Sequence, residues 1–401
     1  MLQEKEKKTT KSEYINRAFV CLTALIFIAG LARTVFAPED INKAENRYAN
    51  KIAKPTLSGY LDGSFQKSVS GALNDQVHFS ALAKKWYNRA TALLAKPLTE
   101  KLASKEGTYV AFRDGIYYRD MLLYYPTELK ENKPLLDARA EDYNSVFAAH
   151  PELDFYVYYI EKDNDIDFLT GEKMGAYDYL KLQLDLPEDH IARFAIDDFE
   201  TYQQYFYRTD HHWNYRGSYE GYRGALALVS GDAPIEPTGQ LDTDYVFSGS
   251  KAASIGGNDV YTDPVSVYLF DLPEMELTCD GGTPIVDYGA VSMLVAKTML
   301  PEDVSYGTIY GWDGGEIIFD TKQPEKENIL IIGESYDNAI LKLLASHFNK
   351  TFSIDLRNYE VSLGKPFDFT AYAAENDIDK VLLIGSMNYF TSDVFEIGGS
   401  N

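Results

Sequence analysis

The chain of 401 residues has little cysteine, little histidine and a deficit of positive charge. It has two cysteines: Cys21 lies in an apolar run near the N-terminus, and Cys279 is far along the chain. No Cys-x-x-Cys exists, so a thiolate zinc site and a disulfide scaffold are both excluded. Lys and Arg number 38 against 61 Asp and Glu, a formal net charge of −23. The main body carries no basic stripe, and a polyanion-binding surface requires one, so nucleic acid is excluded as a partner. The acidity suits a solvated protein with a neutral or cationic partner. No internal repeat or low-complexity segment is present. The composition is otherwise that of a globular protein, 45% hydrophobic and with 31 tyrosines. At this length the chain builds one large core or two ordinary domains.

The single long apolar run is AFVCLTALIFIAGLA, residues 18–32, extended to Phe36 with only Arg33 interrupting. Lys5, Lys7, Lys8, Lys11 and Arg17 precede it, and Glu39 and Asp40 follow. This asymmetry predicts a cytoplasmic leader (1–17), an uncleaved signal anchor (18–36) and residues 40–401 on the outer side of a cell membrane. Residues 40–104 read as a helical stalk, with an apolar period near 3.6 from Leu73 onward. GTYVAFRDGIYYRD (107–120) reads as a hairpin turning at Arg113-Asp114-Gly115.

From 105 to 401 the pattern is α/β. LDFYVYYI (153–160) reads as a buried strand and ARFAI (192–196) as another. NILIIGESYDNAILKLLASHF reads as a strand (328–332), a tight turn and an amphipathic helix (336–348). TFSIDLRNY and FTAYAAENDIDKVLLIG supply a further strand, a helix and a third strand. Such alternation implies a parallel sheet covered by helices. Residues 232–325, rich in Gly, Asp, Thr and Tyr with short alternating β pieces, read as a β-rich insertion.

Ser335 stands where a buried strand breaks into a helix. Gly333 allows the sharp turn. The turn exposes the hydroxyl beside free backbone N–H groups and the positive end of the helix, as a nucleophile with an oxyanion hole requires. The same position suits a helix cap. A serine needs a base. His78, His150, His190 and His347 read as packing or surface residues. That leaves TDHHW (209–213), on a loop entering a helix. The Asp210-x-His212 spacing lets a carboxylate reach back to its imidazole and leave Nε2 facing a serine. A metal held by Asp210, His211 and His212 is the weaker reading, because adjacent loop histidines rarely chelate one ion together. No metal and no other cofactor is expected.

TDHHW, with GESY (333–336) after a strand and IDLRNY (354–359), resembles the DHHW protein family. That family is similar to the alginate O-acetylation proteins AlgX and AlgJ, whose domain is SGNH-hydrolase-like. The resemblance covers most of the chain after about residue 50, including ALNDQVHF and GTYVAFRDGIYY. It implies Ser335 as nucleophile, His212 as base and Asp210 as acid. It departs at Glu334, where Asp is expected before the serine. The function implied is O-acyl transfer to a cell-surface or secreted polysaccharide, or acetyl-ester hydrolysis, with a membrane-bound acyltransferase as acyl donor. A non-catalytic glycan-binding or scaffold protein on the same fold is the alternative. His211, Trp213, Tyr336 and Arg357 are expected to contact substrate or line the cleft, and Asn388 to help hold the oxyanion.

Overall fold

The computed structural model describes residues 11–36, 41–42, 47–48, 50–76, 80–105, 107–113, 115–257 and 260–398. It divides into two compact units, Met1–Leu94 and Ala95–Asn401. In the first, Lys11–Phe36 is one helix, followed by the helices Leu57–Leu61 and Ser64–Gln76 and the start of Ser80–Ala103. Thr56 caps the second of these by accepting the Gly59 N–H at 3.0 Å, satisfying one orphan donor of its first turn. The expected anchor is thus helical, and its Phe19, Leu22, Leu25, Phe27 and Ile28 are exposed. The leader 1–10 and His78 lie outside the described residues, as do the side chains at 31 and 33–35. Among the described residues no helix is long and apolar enough to cross a membrane.

The second unit is built on an eight-stranded sheet: β1 (Asp154–Ile160), β2 (Ile191–Phe194), β3 (Glu276–Cys279), β4 (Thr283–Ile285), β5 (Glu316–Asp320), β6 (Ile329–Gly333), β7 (Lys350–Ile354) and β8 (Lys380–Ser386). Their order across the sheet is β4-β3-β5-β7-β6-β8-β1-β2. The five strands from β7 to β2 run parallel. The strands β5, β3 and β4 add antiparallel pairs at one edge.

The parallel strands are near-continuous apolar runs because helices cover both of their faces. Alternate residues divide between two core layers. Ile329 and Ile331 of β6 join Leu382, Ile384, Tyr158 and Trp213 on one face. Leu330 and Ile332 join Leu383, Val157, Tyr143 and Tyr389 on the other.

Residues 232–325 are β-rich, as expected, and part of them joins the central sheet: Glu276–Cys279, Thr283–Ile285 and Glu316–Asp320 extend it, while among the described residues Gly239–Phe247 with Asp263–Leu269 form a sheet of their own. One sequence expectation needs correction: 336–348 is not one amphipathic helix. A 3₁₀ turn, Asp337–Ala339, precedes a five-residue helix, Leu341–Ala345. The reason is local. The Asp337 carboxyl folds back under the turn, where a Cβ added at Gly333 would lie 2.9 Å from its Cγ. Asn338 is tied sideways to Tyr288 and Asp313. The helix end invoked for an oxyanion is therefore only a short turn.

Candidate active site

The TDHHW loop is closed at its base by a bridge between Phe206 and Trp213 and by the Tyr207 N–H donating to the His212 carbonyl. Asn214 then caps the helix Tyr215–Val229, accepting from the N–H groups of Arg216 and Gly217. Trp213 is fully buried and packs against Phe194 and Tyr336. Its ring lies so close on the helix that a Cβ added at Gly221 would stand 2.6 Å from its Cη2 and closer still to Cζ3. Trp213 is thus the anchor of the loop and does not line the cleft or contact substrate. Tyr336 is likewise buried, not cleft-lining; its hydroxyl donates to the His211 carbonyl at 2.6 Å and ties the nucleophile turn to the loop.

These anchors bring three side chains into one chain of hydrogen bonds. The Nδ1 of His212 lies 2.6 Å from Asp210 Oδ1, and its Nε2 lies 2.7 Å from Ser335 Oγ. Asp210 and His212 are buried and Ser335 is half-buried. Asp210 Oδ1 also accepts the His212 backbone N–H at 3.0 Å, and Oδ2 accepts the Ser250 N–H at 2.7 Å. Burial works to raise the Asp210 carboxyl, but the imidazoles of His212 and His211 and the Ser250 amide outweigh it and hold the group well below the usual carboxylate range. An ionised Asp210 only accepts, so Nδ1 of His212 carries the proton and Nε2 is left to accept from the serine hydroxyl.

Several supporting residues lie far from the motif in sequence. The Tyr306 ring stacks on His212, centroids 3.8 Å apart and planes 3° from parallel. Asp263 accepts from the N–H groups of Arg208 and Thr209, both at 2.8 Å, and from the Thr209 hydroxyl. Buried Lys251 donates to Asp163 Oδ2 and to the Tyr202 hydroxyl, both at 2.6 Å, pinning the segment that carries Ser250 to the exit of β1. Gly249 permits this approach, since a Cβ there would stand 2.6 Å from Asp210 Oδ2. The sequence marked none of these residues. A glycine next to a serine at 249–250 was the only cue, and it is too common to use.

The other expected contacts divide. His211 keeps 26% of its side chain exposed and its Nδ1 lies 2.6 Å from Ser250 Oγ, so it borders the site. Burial above all, with Lys162 and Lys251 nearby and against the pull of the Asp210 carboxylate, pushes its pKa well down, leaving a neutral ring. Arg357, at the exit of β7, is clamped by Asp355 through Nε at 2.9 Å and Nη2 at 2.5 Å, and by Asp313 through Nη2 at 3.0 Å. Burial lowers its pKa, and this pairing outweighs the effect and raises it. Asn388 is exposed on the short helix after β8 and is not brought into the hydrogen-bonded chain of Ser335. Asp210, His211 and His212 also offer ligand atoms within 4.8 Å of one another, the one such group among the described residues. The inner nitrogens of both imidazoles are already engaged by Asp210 and Ser250, and Nε2 of His212 by Ser335, so the set does not fit an ion.

A scan against protein-family models and a comparison with curated proteins return no match. Among solved structures the chain is similar to a DHHW family protein from Eubacterium siraeum, with TM-score 0.56 and 13% identity over 73% of this chain and 98% of that one. It is also similar to PatB1 from Bacillus cereus, with TM-score 0.53 and 18% identity over 72% of this chain and 99% of that one. PatB1 has been solved with a sulfonyl adduct as well. The O-acetyltransferase domain of Pseudomonas putida AlgJ aligns over 71% of this chain with a TM-score of 0.36, too loose to carry an argument. The chain therefore has the α/β fold of a DHHW protein and of PatB1, a mostly parallel sheet flanked by helices, as the resemblance in TDHHW implied.

Proposed function

We propose that the chain is an O-acyltransferase with a serine nucleophile, acting on hydroxyls of a cell-surface or secreted polysaccharide. The observation that carries this reading is the continuous Asp210–His212–Ser335 hydrogen-bonded chain at the C-terminal edge of a parallel sheet. Ser335 Oγ attacks the acyl carbonyl of a donor while His212 Nε2 takes its proton. Asp210 stabilises the imidazolium so formed. Collapse breaks the bond to the leaving group, which takes the proton back from His212. A sugar hydroxyl then attacks the acyl-serine, giving its proton to His212, and Ser335 is released with it. Backbone N–H groups of the turn at Ser335 hold the oxyanion. Water in place of the sugar gives the esterase reaction through the same first half.

The polysaccharide acceptor and the membrane-bound acyltransferase donor come from the DHHW resemblance. Membrane anchoring with residues 40–401 on the outer side rests on the sequence alone, on the lysine-rich leader and the apolar run 18–36; among the described residues no helix is long and apolar enough to cross a membrane. The fold neighbour PatB1 takes a sulfonyl adduct, which suggests the test. The full chain in detergent is assayed with 4-nitrophenyl acetate, and a separate sample is treated with phenylmethylsulfonyl fluoride. We expect turnover by the untreated protein, its loss on treatment with mass-spectrometric labelling at Ser335, and neither turnover nor labelling in Ser335→Ala. Equal turnover by the two proteins would sink the serine mechanism.

A further inference from the structure

Trp213 is buried and offers no face to a pyranose acceptor, but a second tryptophan is exposed. Trp312 is 41% exposed, on the loop between the helix Tyr306–Tyr310 and β5. That loop is tied to the site from both sides. Six residues before Trp312 the chain lays Tyr306 on the His212 imidazole. On the other side the Tyr288 hydroxyl lies 2.9 Å from the Trp312 carbonyl and 2.6 Å from Asn338 Oδ1, its one proton shared between them, and Asn338 stands three residues after Ser335. Asn338 Nδ2 donates to Asp313 Oδ1 at 2.7 Å, and Asn358 Nδ2 to the Asp313 carbonyl at 3.0 Å. The strand register agrees: Glu316, at the start of β5, pairs with Ile354 at the C-terminal end of β7, so the loop meets the same sheet edge as Ser335. Three residues of tight turn advance about 6 Å, so Asn338, which the Tyr288 hydroxyl links to the Trp312 loop, stands one turn from the nucleophile.

An exposed indole on a loop fixed by this many hydrogen bonds gains nothing from its own burial. The bonds hold its backbone, while the ring stays half in water, packed on Tyr288 at 5.1 Å on its inner side. A flat apolar face next to polar groups is what a sugar ring meets with its C–H face. The polar groups are present. Asp313 follows Trp312 directly and is 31% exposed. Arg357 spends Nε and Nη2 on Asp355 and Asp313, and among the described residues its Nη1 makes no hydrogen bond. Its side chain is 36% exposed, so Nη1 is free to donate to a hydroxyl.

We propose that Trp312, with Asp313 and Arg357 beside it, is the acceptor subsite, on which a pyranose ring of the glycan stacks while its hydroxyls meet Asp313 and Nη1 of Arg357. The inference rests on the acyl-transfer reading and names the residues that hold the acceptor for it. Two measurements keep the two apart. In the full chain with Ser335→Ala, tryptophan emission is titrated with cellopentaose, chitopentaose and a galacturonate pentamer. We expect a saturable blue shift with at least one, absent in the Ser335→Ala/Trp312→Phe double variant. This reads binding whether or not the serine reacts. Acetyl transfer from 4-nitrophenyl acetate to the pentasaccharide that binds is then compared with hydrolysis in wild type and Trp312→Ala. The ratio of transfer to hydrolysis, each as kcat/KM, should fall at least tenfold. Failure of the serine mechanism abolishes turnover in both proteins and leaves the emission shift intact. An emission shift that persists in the Trp312→Phe double variant, no shift with any pentasaccharide, or an unchanged ratio would overturn the subsite. So would a rise in KM for the aryl ester alone, which would place the indole on the donor side.

Discussion

Replacing Asp210 by Asn is the sharpest test of the hydrogen-bonded chain, because the structure leaves the amide no good orientation. Oδ1 receives two donors, Nδ1 and the backbone N–H of His212, and Oδ2 receives the Ser250 N–H. If the amide nitrogen takes the Oδ2 position, it confronts the Ser250 N–H, donor against donor. One buried hydrogen bond is lost, at a cost of about 1–3 kcal/mol in stability. The imidazole keeps its tautomer but loses the charge that stabilises it once protonated. Two unit charges about 4 Å apart interact by about 4 kcal/mol at an effective dielectric of about 20, or roughly a thousandfold in rate. If the nitrogen takes the Oδ1 position instead, it donates to Nδ1 and forces the proton onto Nε2. His212 then cannot accept from Ser335, and the loss is on the order of ten-thousandfold, as a wrong tautomer costs in the serine-protease template. Either way kcat for 4-nitrophenyl acetate should fall by about a thousandfold or more, with KM changed little because Asp210 does not reach substrate. Circular dichroism and a thermal melt establish that the variant is folded. A folded Asp210→Asn protein with more than a tenth of the wild-type kcat would refute the assignment of acid and base.

Gly249→Ala places a methyl 2.6 Å from Asp210 Oδ2 and 2.5 Å from its Cα. It should lower kcat by roughly one to two orders of magnitude while costing about 1–3 kcal/mol in the melt, through overpacking at the acid; unchanged turnover would show that the approach is not needed. Trp213→Ala should be felt as instability, by about 3–5 kcal/mol, because the indole is fully buried; loss of glycan binding in a protein that melts like the wild type would contradict this. Asp165→Asn tests the buried acid at the exit of β1. Burial first of all pushes the Asp165 carboxyl up to about 7, against the hydroxyl of Tyr159 and the N–H of Lys162 that favour its charge. A raised carboxyl means that the folded state binds the extra proton between about pH 4 and 7, so wild-type stability falls as pH rises through that window. Asparagine mimics the protonated acid, so the variant should match the wild type near pH 4 and gain on it by pH 8, by roughly 4 kcal/mol at most. A variant that melts below the wild type at pH 8 would reverse the sign and the argument.

The strands were legible because a sheet buried on both faces leaves a one-dimensional mark. ILIIG, VLLIG and YVYYI read as strands without any contact information. Asp210 and His212 were legible for a related reason: their contact spans two residues, so spacing alone sets it. What failed depended on contacts across the chain. Trp213 looked like a cleft residue because its neighbours carry chemistry. Its burial is decided by a helix whose Gly221 lets the indole lie close against it, and by Phe194 and Tyr336. The run 336–348 has the apolar period of a helix, yet Asn338 finds better partners in Tyr288 and Asp313, and the first turn stays 3₁₀. Ser250, Asp263 and Tyr306 sit in a stretch that reads as loose β pieces, and their meaning comes only from the contacts that they make with the TDHHW loop in the folded chain.

Glu334 shows how a departure from the expected motif is absorbed by the sheet. The residue before the nucleophile lies just past the end of β6, beside β8, and neighbouring strands run about 4.8 Å apart. Its Oε1 accepts the Ser386 N–H at 2.7 Å, at the point where β8 ends. On the side facing β6 the pairing has already ended at Gly333 and Ile384, so the glutamate supplies an acceptor there. An aspartate would fall short by one carbon–carbon bond, about 1.5 Å, and leave the Ser386 N–H open. The longer acid therefore faces along the strand ends instead of toward His212, and it couples the exit of β8 to the turn that presents Ser335. The acid that orients the base is Asp210, on a different segment, so a glutamate at 334 does not compete with it. The departure is then a matter of sheet termination, and Asp210 remains the acid of the hydrogen-bonded chain.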